Sequence, residues 1–266
     1  MSTAVGYYFG HAGPWSLWAV LHTLIGTALI ASGTAALNQW YEREADGRMR
    51  RTQARPLPAG RLEPQQALRF GIGLAIVGGL ELGFGVNWFA SALGIATLLM
   101  YLCFYTPLKQ KTWWSTTVGA VPGAMPPVIG FAAAADRLSP EAWVLCAILF
   151  LWQFPHFYAI AWMYRDDYSR AGIRMLPVVE PDGQSTARQI LFYSVLLIPI
   201  SLLPRWMGMT GTVYLIGAIA LGLLFLYSGI RVSLERTNFR ARKVLLASVV
   251  YLPLLYMLML LDPTRL

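Results

Sequence analysis

The chain has 266 residues, of which 56% are hydrophobic and only 13% charged, against about 25% charged in ordinary soluble domains. That balance excludes a soluble globular domain and points to an integral membrane protein. The formal charge of +8 does not imply a nucleic-acid partner, because base recognition needs a soluble basic face and the arginines here lie between apolar runs. Apolar stretches of about 20 residues, the length that crosses a hydrocarbon core, recur along the chain. They are continuous rather than alternating, so they predict helices and not a β-barrel. The expected fold class is all-α, a polytopic membrane helical bundle in a single domain over 1–266.

The opening "MSTAVGYYFG" reads as the last turns of an apolar helix, without the charged start and cleavage site of a signal peptide. The expectation is a remnant of a ninth helix whose beginning the chain lacks. Eight complete spans follow, at 15–40, 67–86, 88–106, 115–134, 141–163, 190–205, 211–231 and 244–261. Cys103 and Cys146 fall within spans, without C-x-x-C spacing or clustered His, and read as small apolar fillers. Gly119, Gly123, Pro122, Pro126 and Pro127 interrupt the fourth span, as a cavity wall or as ordinary kinked packing. His22, in the first complete span, reads as structural.

Basic residues alternate sharply between the loops. One side holds the clusters around Arg43–Arg69, Lys109 and Lys111, Arg165–Arg188 and Arg231–Lys243, whereas the other has only Arg137, Arg205 and Arg265. By the positive-inside rule the rich side is cytoplasmic and the C-terminus external. Two loops on the rich side are long, 41–66 and 164–189, and hold eight of the thirteen acidic residues. Long loops in a compact fold are usually functional or disordered, and the gathered acidic residues favour function.

In the first of them Asn38, Glu42 and Asp46 follow one another at i, i+4, i+8. On a helix this spacing drifts only about 40° per step, so three oxygen donors share one face over roughly 12 Å. They form either a solvated helix end or a site for a hard cation such as Mg²⁺, which commonly shares its oxygens with substrate phosphates. Arg50, Arg51 and Arg55 come next, as topology signals or as forked donors to a polyanion. The second loop opens with Arg165, Asp166, Asp167 and Tyr168, and two adjacent carboxylates there need a cation or a basic partner. Tyr105 and Lys109 lie one helical repeat apart at a third end on the same side. A binuclear Mg²⁺–diphosphate site is the reading that unites these clusters.

Together "ALNQWYEREADGRMRRTQARPLPAG", "YTPLKQKTWWS", "GAVPGAMPPVIG" and "WQFPHFYAIAWMYRDDYSRAGIRMLPVV", in that order, resemble the UbiA superfamily of intramembrane prenyltransferases and, within it, the heme-directed branch. The resemblance covers essentially the whole chain. The superfamily's N-x-x-x-D-x-x-x-D motif is matched by Asn38, Glu42 and Asp46, with Glu in place of the central Asp. In place of the D-x-x-x-D of quinone-directed relatives stand Arg165, Asp166, Asp167, Tyr168 and Gly172, which leaves open which aspartate touches metal.

The resemblance implies farnesyl transfer from farnesyl diphosphate to a vinyl group of heme b, giving heme O, with Mg²⁺ as cofactor and no covalent enzyme nucleophile. It implies metal binding by Asn38, Glu42, Asp46, Asp166 and Asp167, and diphosphate binding by Arg51, Arg55, Lys109, Arg165 and Tyr105. His156 is the candidate heme contact, as propionate partner or axial ligand. Trp152, Phe154, Phe157, Tyr158 and Trp162 read mainly as packing. The implied setting is a bacterial-type inner membrane with the active-site loops in the cytoplasm and with heme-pathway or oxidase-assembly partners. Two rivals stand beside this reading: a prenyltransferase for a quinone precursor or another aromatic acceptor, and a non-catalytic transporter or heme-binding protein. The last would carry internal repeats and polar groups at mid-membrane, whereas the ionisable residues here gather at one face.

Overall fold

The computed structural model describes residues 1–14 and 16–264. Trp15, the expected start of the first complete span, and Arg265, one of the three basic residues expected on the poor side, lie outside them. Most of the described residues are helical, with no β-strand among them. A short α1 (Ser2–Gly10) precedes α2 (Leu17–Tyr41), the first of the spans, and α3 (Arg43–Arg48). Then come α4 (Pro64–Gly85), α5 (Trp88–Leu108), a span broken into α6 (Ser115–Gly123) and α7 (Pro126–Ala135), and α8 (Pro140–Met163). Two short helices, α9 (Arg165–Arg170) and α10 (Leu176–Val179), lead to α11 (Gln184–Trp206), α12 (Thr212–Leu234) and α13 (Asn238–Leu261).

Among the described residues eight helical segments are long and apolar enough to cross a membrane, one for each expected span. The chain is an integral membrane protein. The clearest departures are α11 and α13, which begin earlier than hydropathy predicts and take Arg188, Arg240, Arg242 and Lys243 into the helix. A helix is not obliged to stop where hydrocarbon stops: Gly183, at φ +71, starts α11, and Thr237 caps α13 by accepting from Arg240 N.

Small residues set the approach of the helices. A Cβ at Gly33 would lie 2.8 Å from Gly71 O, so α2 and α4 pack backbone to backbone, as small residues permit between membrane helices. The two-residue turn between α4 and α5 is fastened by Asn87, which accepts from Ala90 N at 2.8 Å and donates to Ala132 O and Ala133 O on α7 at 3.0 and 3.2 Å. Pro126, lacking an N–H, starts α7 afresh, and the break falls at Ala124 and Met125. In the other half α8, α11, α12 and α13 share one apolar core in which Phe154 stacks on Tyr193 with ring centroids 3.7 Å apart.

The two long loops meet at one end of the bundle. Arg174 N donates to Lys109 O at 2.8 Å, and the first loop touches the second through Arg50 and Arg51. Beneath them a buried apolar cluster of Ala45, Met49, Ala161, Ile173 and Met175 joins α3, α8 and the second loop. This packing brings residues more than a hundred positions apart to one cavity mouth.

Candidate active site

The oxygen row survives a change of helix. α2 ends at Tyr41 and α3 starts at Arg43, yet Glu42 N still donates to Asn38 O at 2.9 Å and Asp46 N to Glu42 O at 2.8 Å. The unbroken i to i+4 ladder keeps the three side chains on one face, and all three line a cavity of about 390 Å³. Each carboxylate is buried and meets a cation: Lys109 Nζ lies 2.9 Å from Glu42 Oε1, and Arg55 Nη1 lies 2.7 Å from Asp46 Oδ2. Asn38 joins the first pair by donating to Glu42 Oε2 at 2.9 Å.

Lys109 is positioned by α5. A five-residue π turn, Tyr101–Tyr105, widens the end of that helix, and Thr106 Oγ1 lies 3.0 Å from both Tyr101 O and Asn38 Oδ1, which share its single proton. Tyr101 and Tyr105 lie edge to face with centroids 4.8 Å apart, and Lys109 Nζ sits 4.4 Å from the Tyr105 ring centroid. Both tyrosines line the cavity, whereas the sequence reading had singled out only Tyr105.

The second loop divides its residues. Asp167 is buried, accepts from Arg50 N and Arg51 N at 3.3 Å each, and pairs with Arg170. It does not line the cavity; it holds the backbone of the arginine loop. Asp166 is exposed. Arg165 turns away from the cavity as well: it donates to Trp162 O and to Asn238 Oδ1, both at 2.9 Å, and lies over the Trp162 ring. The three charged residues of the second motif are therefore not brought into the cavity lining. Tyr168 is: its hydroxyl accepts from Arg51 Nη2 at 2.9 Å. Burial raises its pKa, against the lowering effect of Arg51 and Lys109.

Beneath the charged mouth the walls become apolar. Gly119 and Gly123 on α6 line it together with Phe157 and Ile160 on α8, with Gln153 and Thr116 as further polar groups. A second, apolar chamber of about 250 Å³ between α2, α5, α6 and α7 shares Tyr101 and Gly123 with the first. The broken fourth span is thus a wall of both chambers. The sequence analysis singles out Tyr168 only as a member of the second motif and does not single out Tyr101, Thr116 or Gln153. Tyr101 stands at i, i+4, i+8 with Tyr105 and Lys109, and a Gln within an apolar run is itself a signal; Thr116 carries none.

His156 does not line the cavity. It lies about 60° round α8 from Gln153 at 100° per residue, stacked on Trp152 with its Nδ1 2.8 Å from Ser248 Oγ. Because Ser248 Oγ donates to Leu245 O at 2.6 Å, it accepts from Nδ1–H, which leaves the Nε2 lone pair without a partner among the described residues. His22, read as structural, pairs with Glu81 at 2.6 Å.

Among the described residues no group of three or more His, Cys, Asp or Glu gathers to form a metal cage. Three oxygen donors and three cations on one mouth above an apolar chamber instead define a site for an anionic head carrying an apolar tail, the class of an intramembrane prenyltransferase. Residues 1–257 match the UbiA prenyltransferase family, and the chain belongs to it. The chain is 64% identical to the protoheme IX farnesyltransferase of Solibacter usitatus (strain Ellin6076), over 98% of this chain and 93% of that one. It is 46% identical to the protoheme IX farnesyltransferase of Koribacter versatilis (strain Ellin345), over 99% and 88%. Its fold is shared by a UbiA homolog from Archaeoglobus fulgidus solved with GPP and Mg²⁺, at a TM-score of 0.70 and 15% identity, over 97% of this chain and 93% of that one.

Proposed function

We propose that the protein is a protoheme IX farnesyltransferase that moves the farnesyl group of farnesyl diphosphate onto a vinyl group of heme b, giving heme O and diphosphate, with the whole chain working as one unit. The observation that carries this reading is the charged mouth, in which Asn38, Glu42 and Asp46 meet Arg51, Arg55 and Lys109 above an apolar interior. The identity to curated protoheme IX farnesyltransferases supports heme, rather than a quinone precursor, as the acceptor.

Arg51, Arg55 and Lys109 are the cations that meet the diphosphate, with the hydroxyls of Tyr105 and Tyr168 as neutral donors beside them. Asp167 orients Arg51 by binding its amide. The donor set fits Mg²⁺, because Asn38, Glu42 and Asp46 present hard oxygens to one cavity without enclosing it, leaving positions for phosphate and water. Bound there, Mg²⁺ supplies Lewis-acid neutralisation of the diphosphate. As the C–O bond of the allylic carbon breaks, its electron pair leaves on the diphosphate, held by the arginines and the lysine. The vinyl terminal carbon then forms the new C–C bond, and water captures the cation left beside the porphyrin ring. The apolar chamber between α2, α5, α6 and α7 takes the isoprenoid tail and keeps the allylic cation from bulk water.

His156 is the proposed porphyrin contact. Its Nδ1–H is fixed by Ser248, an arrangement that orients Nε2 for iron rather than for a propionate, which needs a donor. By the positive-inside rule the charged mouth faces the cytoplasm, at the inner membrane of a bacterial cell. The test is to incubate purified protein in nanodiscs with Mg²⁺, farnesyl diphosphate and heme b, and to read the porphyrin products by mass spectrometry. Heme O is the expected product. Its absence overturns the proposal, and prenylation of a quinone precursor in its place selects the rival acceptor.

A further inference from the structure

Below the charged mouth the cavity wall carries polar atoms to which the steps above give no task. Gln153, 4% exposed, donates both amide hydrogens to backbone, to Ala120 O and Leu149 O at 3.1 Å each. Ala120 O already accepts from Ala124 N, the residue that caps α6, so the helix end does not need the glutamine; the bonds serve to lock the amide. Its Oε1 is thereby turned to Gly123, where a Cβ would overlap it. That oxygen has no hydrogen-bond partner among the described residues, and Gln153 lines the cavity. Thr116 Oγ1, on a residue 5% exposed, lines the same cavity and is a buried hydroxyl with no partner among the described residues. Unsatisfied polar atoms in a chamber roomy enough for water mark a water site.

We infer that Gln153 is a positioning residue for the water that ends the reaction. The inference rests on the farnesyl-transfer reading. Once the vinyl group has formed its C–C bond, the positive charge lies on the carbon attached to the porphyrin ring. A water whose O–H donates to Gln153 Oε1 presents its lone pair to that carbon; the C–O bond forms, and the released proton passes to the diphosphate product. An amide is too weak a base to keep the proton, so its work is orientation alone. With no water held there, the same cation loses a proton from the adjacent methylene and ends as an alkene, lighter than the alcohol by one water.

The experiment compares wild type, Gln153→Met and Gln153→Glu in H₂¹⁸O, with Mg²⁺, farnesyl diphosphate and heme b, and reads the ratio of alkene to alcohol among the prenylated porphyrins. Wild type gives the ¹⁸O-labelled alcohol. Gln153→Met, similar in volume but without the acceptor, raises the alkene-to-alcohol ratio about tenfold, equivalent to about 1.36 kcal/mol in partitioning. Gln153→Glu, which keeps an oxygen but loses the two N–H bonds that lock it in place, gives a ratio between those of wild type and Gln153→Met. An unchanged ratio in Gln153→Met, or an unlabelled alcohol from wild type, overturns the inference while prenyl transfer stands. No prenylated porphyrin from wild type overturns the reading beneath it. Should Gln153→Met fail to accumulate, Gly123→Ala, which displaces Oε1 from outside the residue, decides by the same ratio: a rise supports the inference and no change overturns it.

Discussion

Lys109→Met isolates what the charged mouth contributes to stability and to turnover. The ammonium lies 2.9 Å from Glu42 Oε1 and 3.0 Å from Oε2, with both side chains only about a tenth exposed. Removing one partner of such a pair leaves an uncompensated buried charge, at a cost of about 3–5 kcal/mol. Water in the cavity relieves part of it, so the lower end applies, about 3 kcal/mol. At about 2–4 °C per kcal/mol for a chain of this order, the midpoint of thermal unfolding falls by about 6–12 °C. Adding Glu42→Gln removes the orphaned charge and keeps an acceptor for Asn38 Nδ2, so the double variant regains most of the loss. Turnover is lost in both, because each lacks a cation proposed to meet the diphosphate. The readouts are thermal unfolding in detergent and product formation on the same preparations. A single variant as stable as wild type, or a double variant less stable than the single, refutes the argument that the pair is a buried, mutually compensating one.

Asp46→Asn keeps an acceptor for Arg55 and lowers kcat/KM about 10²–10³-fold, the size of a lost electrostatic stabiliser, with little change in unfolding temperature. Steady-state rates at saturating Mg²⁺ check it. Asp167→Ala frees the amides of Arg50 and Arg51 and raises the KM for farnesyl diphosphate about tenfold, about 1.4 kcal/mol, with a smaller change in kcat; Asp166→Ala, at an exposed position, leaves both within about twofold. Chelation by EDTA abolishes turnover and added Mg²⁺ restores it, while unfolding in the absence of substrate shifts little because Lys109 and Arg55 already balance the carboxylates. His156→Leu weakens heme binding, seen as loss of the optical shift on titrating heme, without changing the binding of farnesyl diphosphate.

The spans and the oxygen row were legible because each rests on one local period. About 20 apolar residues must be helical in lipid, and i, i+4, i+8 must share a face as long as the backbone ladder holds, which it does through Glu42 and Asp46. The same period, extended one step back from Tyr105, would have found Tyr101. The second motif was not legible in that way. Adjacent helical residues point about 100° apart, so Asp166 and Asp167 cannot both face the cavity, and nothing local says which turns inward. The choice is made by amides 117 and 116 positions earlier in the chain, those of Arg50 and Arg51, to which Asp167 is bound. Arg165 likewise follows a distant residue, Asn238, rather than its neighbours in the motif. Where a side chain is bonded to a distant loop, its partner is fixed by tertiary packing, and a motif read along one strand of sequence carries no sign of it.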